Sequence, residues 1–161
     1  MLVKSVGINC YAVLVFCTLC VKALKNETTR LLSFGPQVLE SGVMRLVGKI
    51  ALISGASKGI GAYQARLFAR EGASIIIADV LEEEGKRLEN EICESKGEAL
   101  FLRLDVTHES GWQRVVRDAI RHFGKLNVLV NNAGIYNNTP IEAATESQWH
   151  RVMETNAKGV F

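Results

Sequence analysis

The sequence predicts an α/β fold in which about four parallel strands form a doubly wound sheet. Short apolar runs rich in β-branched residues alternate with longer amphipathic stretches, and a glycine-rich turn follows the first of these runs. Strands joined through helices need right-handed crossovers, so they lie parallel in one sheet. The composition agrees, because 48% of the residues are hydrophobic and 22% are charged, as in ordinary α/β proteins.

The elements follow one another from residue 49 onward. Buried strands are predicted where short apolar runs occur, at Lys49–Ser54, Ser74–Ala78, Ala99–Leu104 and Leu126–Val130. Helices are predicted where apolar residues recur at helical spacing, at Ala62–Arg70, Leu81–Ser95 and Glu109–Phe123, with Gly124 ending the third. A last helix carries Trp149, Val152 and Met153, and Thr145 or Ser147 can cap it.

Residues 1–43 differ in character from residues 44–161, which we predict to form the folded domain. Lysines flank a run of seventeen uncharged residues, 5–21, which is short for a membrane span and long for the apolar part of a signal peptide. The segment could be a membrane anchor, a cleaved leader or no natural part of the protein. We favour the last, because Met44 resembles a fresh start just before the first strand.

Charge and cysteine content exclude several function classes. The formal net charge is only +2, and no basic stripe with interleaved aromatic residues occurs, so we expect no nucleic-acid partner. Cys17 and Cys20 form a Cys-x-x-Cys pair without a second pair or a nearby histidine. His108, His122 and His150 lack the spacing of metal ligands, so no metal site is predicted.

The turn from Gly55 to Gly61 has the features of a phosphate cradle. It joins the first strand to the first helix, where free backbone N–H groups and the helix dipole attract an anion. Gly55 allows a tight turn, and Gly59 and Gly61 allow phosphate and helix to come close. The spacing is Gly-x-x-x-Gly-x-Gly, which differs from the Gly-x-Gly-x-x-Gly of other dinucleotide folds.

Asp79 ends the second strand and is the predicted ribose ligand. A carboxylate there can accept hydrogen bonds from both adenosine-ribose hydroxyls and repels a 2′-phosphate, which favours NAD over NADP. Lys58 argues the other way, since a cation beside the cradle could pair with a 2′-phosphate. We expect Asp79 to decide, because repulsion at a desolvated site outweighs attraction by an exposed lysine.

Further motifs complete a resemblance to a known family. Gly55-x-x-x-Gly59-Ile60-Gly61, Asp79, Asp105-Val106, Asn131-Asn132-Ala133-Gly134 and Asn156 occur in this order between Met44 and Phe161. The chain thereby resembles the first half of a single-domain short-chain dehydrogenase/reductase with a Rossmann-like fold. The stretches 104–107 and 112–116 are similar to bacterial hydroxysteroid and secondary-alcohol dehydrogenases of that family.

The resemblance implies roles for the matching residues. Asp105 and Val106 would contact the adenine, and Asn131 would help tie the sheet together. Asn156 would be a catalytic-group residue that binds a water in the proton relay. The residues expected to bind the cofactor are Gly55, Ser57, Lys58, Gly59, Ile60, Gly61, Asp79, Asp105, Val106, Asn132, Ala133 and Gly134.

The catalytic tyrosine and lysine of that family are not found in this sequence. The family uses Tyr-x-x-x-Lys and a serine, but the residues four places after Tyr11, Tyr63 and Tyr136 are Val15, Leu67 and Pro140. We therefore predict a fragment of an NAD-dependent oxidoreductase that acts on a secondary alcohol or ketone and is inactive alone. Alternatives are a non-catalytic dinucleotide-binding module, or a membrane-anchored reductase if the leader is real.

The remaining expectations concern the oligomeric state, the cellular location and the edge of the sheet. The resemblance implies a homo-oligomer for a full-length form, and we expect a cytoplasmic location unless residues 5–21 are a genuine membrane anchor. In the family's strand order the fourth strand is interior. Here we expect that strand, with apolar Val128, Leu129 and Val130, to be an open edge of the sheet.

Overall fold

The computed structural model describes residues 44–161, together with the backbone of Tyr11–Val13. It confirms the predicted Rossmann-like α/β architecture. The strands are β1 (Tyr11–Val13), β2 (Ile50–Ser54), β3 (Ser74–Asp79), β4 (Glu98–Arg103) and β5 (Val128–Val130). The helices are α1 (Gly59–Arg70), α2 (Glu82–Glu94), α3 (Glu109–Phe123) and α4 (Glu146–Met153), with a 3₁₀ turn at Ile141–Ala143 and a π-helical turn at Glu154–Lys158.

All strand pairs in the sheet are parallel, and the order is β1-β5-β2-β3-β4. Strands β2 and β3 lie in the centre, where every residue of β2 is buried. Such strands need apolar side chains on both faces, which is why they read as continuous apolar runs rather than as alternating ones. The helices therefore have to cover both faces of the sheet.

Two apolar clusters lie on the two faces. One joins Ile53 and Ile75 of the strands to Ala65 of α1 and Leu88 and Ile92 of α2. The other joins alternate strand residues, among them Leu52 and Ile76, to Val115 and Ala119 of α3. Helices α1 and α2 thus cover one face and α3 covers the other, which is the doubly wound arrangement predicted.

The predicted helix ends are confirmed in two places. Gly124 ends α3 in the left-handed region at φ 77°, and its N–H donates to the carbonyl of Ile120 at 2.7 Å. Thr145, rather than Ser147, caps α4, because its hydroxyl accepts the N–H of Gln148 in a capping box. No residue of α4 is buried, and Trp149 is 63% exposed.

Apart from shifts of one or two residues at the ends of other elements, two expectations differ from the structure. Helix α1 begins at Gly59 instead of Ala62, because the last three residues of the predicted turn already form the first helical turn. Strand β5 is not the open edge, since Tyr11–Val13 pairs with it in parallel. The rest of residues 1–43, including most of the run 5–21, lies outside the described residues.

Within the described residues, none of the helices has the length and apolar character needed to cross a membrane. Apart from Tyr11–Val13, the run 5–21 that we consider as a membrane anchor lies outside the described residues. The anchor stays a prediction.

Candidate dinucleotide-binding site

The predicted site residues gather at the carboxyl ends of the parallel strands. Gly55 follows β2, Asp79 ends β3, Asp105 follows β4 and Asn132 follows β5. In the sheet, β3 lies on one side of β2, and β5 lies on the other side. The connection after β2 and the connection that leads to β5 therefore run to opposite sides. This is the topological switch point of the sheet, where a crevice opens between diverging connections.

The glycine turn is packed against the segment that follows β5. A Cβ added at Gly55 would lie 2.7 Å from the Cα of Ala133. A Cβ at Gly61 would collide with the carbonyl oxygen of Gly55 and lie 2.6 Å from Nδ2 of Asn132. Gly55 and Gly61 are therefore required because neighbouring atoms of the chain approach their backbones closely.

Gly59 is required for a different reason. Its φ is 58°, a left-handed value that side-chain-bearing residues rarely adopt. A Cβ at this position would meet no atom within 4 Å, so the space beside Gly59 is open. A group could therefore approach the backbone there without displacing any described side chain.

The amino end of α1 differs from the starts of the other three helices. Glu82, Glu83 and Glu84 begin α2, while α3 and α4 each have one glutamate in the first turn. Helix α1 has no acidic residue in its first turn, and Lys58 before it makes no side-chain capping bond. The positive end of this helix dipole thus has no carboxylate within its own first turn, which favours an anion there.

Asn132 and Ser54 join the strand ends beneath the glycine turn. Nδ2 of Asn132 donates to the carbonyls of Ser54 at 2.9 Å and Gly55 at 3.0 Å. The Ser54 hydroxyl oxygen accepts the N–H groups of Asn132 and Ala133, both at 3.1 Å. The tying contact that we assigned to Asn131 is therefore made by Asn132.

Asp79 holds two segments through its carboxylate. Oδ2 accepts the N–H of Ser57 at 2.9 Å, and Oδ1 accepts the N–H of Leu81 at 3.1 Å. The residue is only 8% exposed. Each oxygen accepts one of these bonds and keeps a second lone pair, so the carboxylate can still accept ribose hydroxyls. Asp79 fixes the glycine turn as well as offering the predicted ligand atoms.

Lys58 is already paired. Its Nζ lies 2.8 Å from Oε1 of Glu84, in the first turn of α2. The hydrogen bond from Lys58 lowers the pKa of Glu84, so this carboxylate stays ionised at neutral pH. Lys58 is exposed as predicted, with 63% of its side chain accessible, and its ion pair with Glu84 is a contact that the sequence does not predict.

Asp105 and Val106 lie at the site because they follow the carboxyl end of β4. Asp105 is exposed, and hydrogen bonds from the hydroxyl and N–H of Thr107 lower its pKa. Val106 is buried, and its carbonyl accepts the indole N–H of Trp112 at 3.2 Å. Val106 packs in the same cluster as Ala133, which brings the β4 and β5 ends together.

Asn156 lies in the π-helical turn, and its side chain forms hydrogen bonds with the backbone of Ile135, the residue after Gly134. Its Oδ1 accepts the N–H of Ile135 at 2.8 Å, and its Nδ2 donates to the Ile135 carbonyl at 2.9 Å. These two bonds use half of the four that an asparagine side chain can make, and both go to the backbone of Ile135. Ile60, which is also predicted to contact the cofactor, is 56% exposed at the start of α1.

Sequence reasoning misses two glycines that support the site. A Cβ at Gly85 of α2 would collide with the ring of Phe101 and lie 2.9 Å from the Ser57 hydroxyl. A Cβ at Gly159 would lie 2.9 Å from Cγ2 of Val106. A glycine inside an amphipathic helix such as α2 is the signal that could reveal such a packing role.

A groove away from this edge is the other concave feature to consider. It has a volume of about 290 Å³ and is lined by Leu100, Leu102, Asp118, Arg121 and His122. None of the predicted site residues lines it. In the described part of the chain, no group of three or more histidine, cysteine, aspartate or glutamate residues could hold a metal ion.

These features define a Rossmann-like nucleotide-binding fold, and comparison with known proteins gives the family. A family model described as short chain dehydrogenase matches residues 49–161. The chain therefore belongs to the short-chain dehydrogenase family, whose members are oxidoreductases that use a nicotinamide dinucleotide.

Named relatives agree. The 3-alpha-(or 20-beta)-hydroxysteroid dehydrogenase of Mycobacterium tuberculosis is 43% identical over 117 residues, 73% of this chain and 44% of that protein. The trans-4-hydroxycyclohexanecarboxylate dehydrogenase of Sinomonas cyclohexanicum is 42% identical over 73% of this chain and 48% of its own length. The structure of a hydroxysteroid dehydrogenase from Escherichia coli superposes with a TM-score of 0.68 at 34% identity, covering 72% of this chain and 49% of that one. The chain thus spans about half the length of these relatives.

Proposed function

We propose that this chain binds NAD and forms the cofactor-binding half of an oxidoreductase acting on a secondary alcohol or ketone. The observation that carries the proposal is the buried Asp79 carboxylate, which is bonded to the Ser57 N–H beside the open backbone at Gly59. A pyrophosphate fits the unneutralised amino end of α1. A ribose fits the remaining lone pairs of Asp79.

Two observations support the fit of a dinucleotide. A side chain at Gly59 would enter the open space that a phosphate needs, while Gly55 and Gly61 keep the turn tight against Ala133 and Asn132. When bound, the nicotinamide would supply the hydride chemistry by exchanging a hydride with the carbon that bears the substrate oxygen. The chain's own residues would bind and orient the cofactor.

Substrate turnover is a separate question from cofactor binding. Removing the hydroxyl proton of an alcohol needs a base beside the reacting oxygen. None of the three tyrosines in this sequence is followed by a lysine four residues later. We therefore propose that these 161 residues bind the cofactor without turnover, and that Asn156 acts by positioning the chain at Ile135. The relatives named as dehydrogenases of hydroxysteroids and of trans-4-hydroxycyclohexanecarboxylate support the substrate class.

Calorimetric titration of the purified chain tests this function. We expect saturable binding of NAD, and we expect NADP to bind at least about tenfold more weakly, because Asp79 repels a 2′-phosphate. With NAD and a secondary alcohol, the same sample is expected to form no NADH. A tighter constant for NADP would refute the cofactor assignment, and NADH formation would refute the predicted lack of turnover.

A further inference from the structure

One ion pair beside the candidate ribose site is not explained by cofactor binding alone. Lys58 of the glycine turn and Glu84 of α2 form it at 2.8 Å, and their side chains are 63% and 29% exposed. An exposed pair of this kind contributes little to folding stability. We therefore look for a role in the location of this ion pair beside the candidate ribose site, and not in its contribution to folding stability.

Asp79 fixes the position of both partners. Its carboxylate accepts the N–H of Ser57, the residue directly before Lys58. It also accepts the N–H of Leu81, the residue directly before α2 begins. Lys58 and Glu84 therefore leave the backbone on either side of the carboxylate that we assign to the ribose.

Close packing holds α2 near enough for the pair to form. Gly85, next to Glu84, packs without a side chain against the ring of Phe101 and the hydroxyl of Ser57. The Ser57 hydroxyl in turn donates to the carbonyl of Leu81 at 3.1 Å. These contacts fix the first turn of α2 against the glycine turn, so Glu84 faces Lys58.

We propose, resting on the function proposed above, that Glu84 is a specificity-determining residue for the dinucleotide. It holds the Lys58 ammonium in an ion pair, so this cation is not free to receive a 2′-phosphate. Residue 80 next to Asp79 is a valine, which is 49% exposed and supplies no positive charge. Glu84 thereby acts with Asp79 against NADP.

Competition binding at low ionic strength tests this role, because salt screens exposed charges. NADH fluorescence gives the dissociation constant of NADH, and displacement by NADP or NAD gives theirs. The proteins are the wild type, Glu84→Gln, Lys58→Met and the double variant. Glu83→Gln is the matched control, since it removes the same charge from the same helical turn and Glu83 is not the partner of Lys58.

We expect Glu84→Gln to improve NADP binding relative to NAD by about threefold to tenfold. Glu83→Gln is expected to leave that ratio within about twofold of the wild type. In the Lys58→Met background most of the gain is expected to disappear. A gain no larger than that of Glu83→Gln would overturn the proposal, as would a gain that persists without Lys58 or no displacement by NADP from any variant. A wild type that binds no NADH would instead overturn the proposed function itself.

Discussion

Replacing Gly61 with alanine is expected to weaken NAD binding by at least about tenfold and to destabilise the fold. Alanine favours a helix over glycine by up to about 1 kcal/mol, so propensity alone predicts a gain. The new Cβ would collide with the carbonyl oxygen of Gly55, and it would lie 2.6 Å from Nδ2 of Asn132. Overpacking of this kind costs about 1–3 kcal/mol, which outweighs the gain in helix propensity.

The binding loss follows from the position of the collision. Gly55 and Asn132 belong to the backbone network under the glycine turn, so relief of the clash moves the turn itself. Denaturant unfolding gives the stability, and calorimetry gives the NAD constant. Gly124→Ala is the control, because alanine is strained at the positive φ of Gly124, and this residue lies at the far end of α3, away from the glycine turn. It should lose stability and keep NAD affinity. Unchanged NAD binding by Gly61→Ala would contradict the close-packed turn.

Replacing Asp79 with asparagine is expected to lower the preference for NAD over NADP by at least about tenfold. The carboxylate accepts the N–H groups of both Ser57 and Leu81, whereas an asparagine has only one acceptor oxygen. One N–H then loses its partner, at a cost of about 1–3 kcal/mol in folding stability. The charge that would repel a 2′-phosphate is removed as well.

The ratio of the two dissociation constants separates these effects. Both dinucleotides need the same glycine turn, so damage to the turn changes both constants together and largely cancels in the ratio. Asp118→Asn serves as the control, because it removes a carboxylate from α3 beside the groove at Leu100 and Leu102. An unchanged ratio in Asp79→Asn, together with weaker binding of both cofactors, would show that Asp79 only holds the turn.

The sheet and its order of elements could be predicted from local patterns. Residues 50–53 and 75–78 are continuous apolar runs because they are buried on both faces of the sheet. The start of α1 could not be predicted in this way. Three glycines indicate a turn, yet the last of them, Gly61, is already helical and lies closely against Gly55 and Asn132. Tertiary packing here overrides intrinsic propensity.

The role of a site residue could be predicted from the sequence where it follows from the residue's position at the end of a strand. It could not be predicted where it depends on how a helix is rotated about its axis. Asp79 is an example of the first, because the last residue of a parallel strand points into the crevice edge. The pairing of Glu84 with Lys58 depends on how α2 turns about its axis, which Gly85 and Phe101 decide. The π-helical turn that carries Asn156 likewise leaves no pattern in the sequence.

The most direct test of the central claim is to locate bound NAD by nuclear magnetic resonance. Uniformly ¹⁵N-labelled protein is titrated with NAD, and the backbone amide signals are followed residue by residue. We expect the largest shifts at Gly59, Ile60 and Gly61, whose N–H groups begin α1, with a second set around Ser57 and Asp79. Shifts confined to the groove near Leu100 and Arg121, or none at millimolar NAD, would contradict the account.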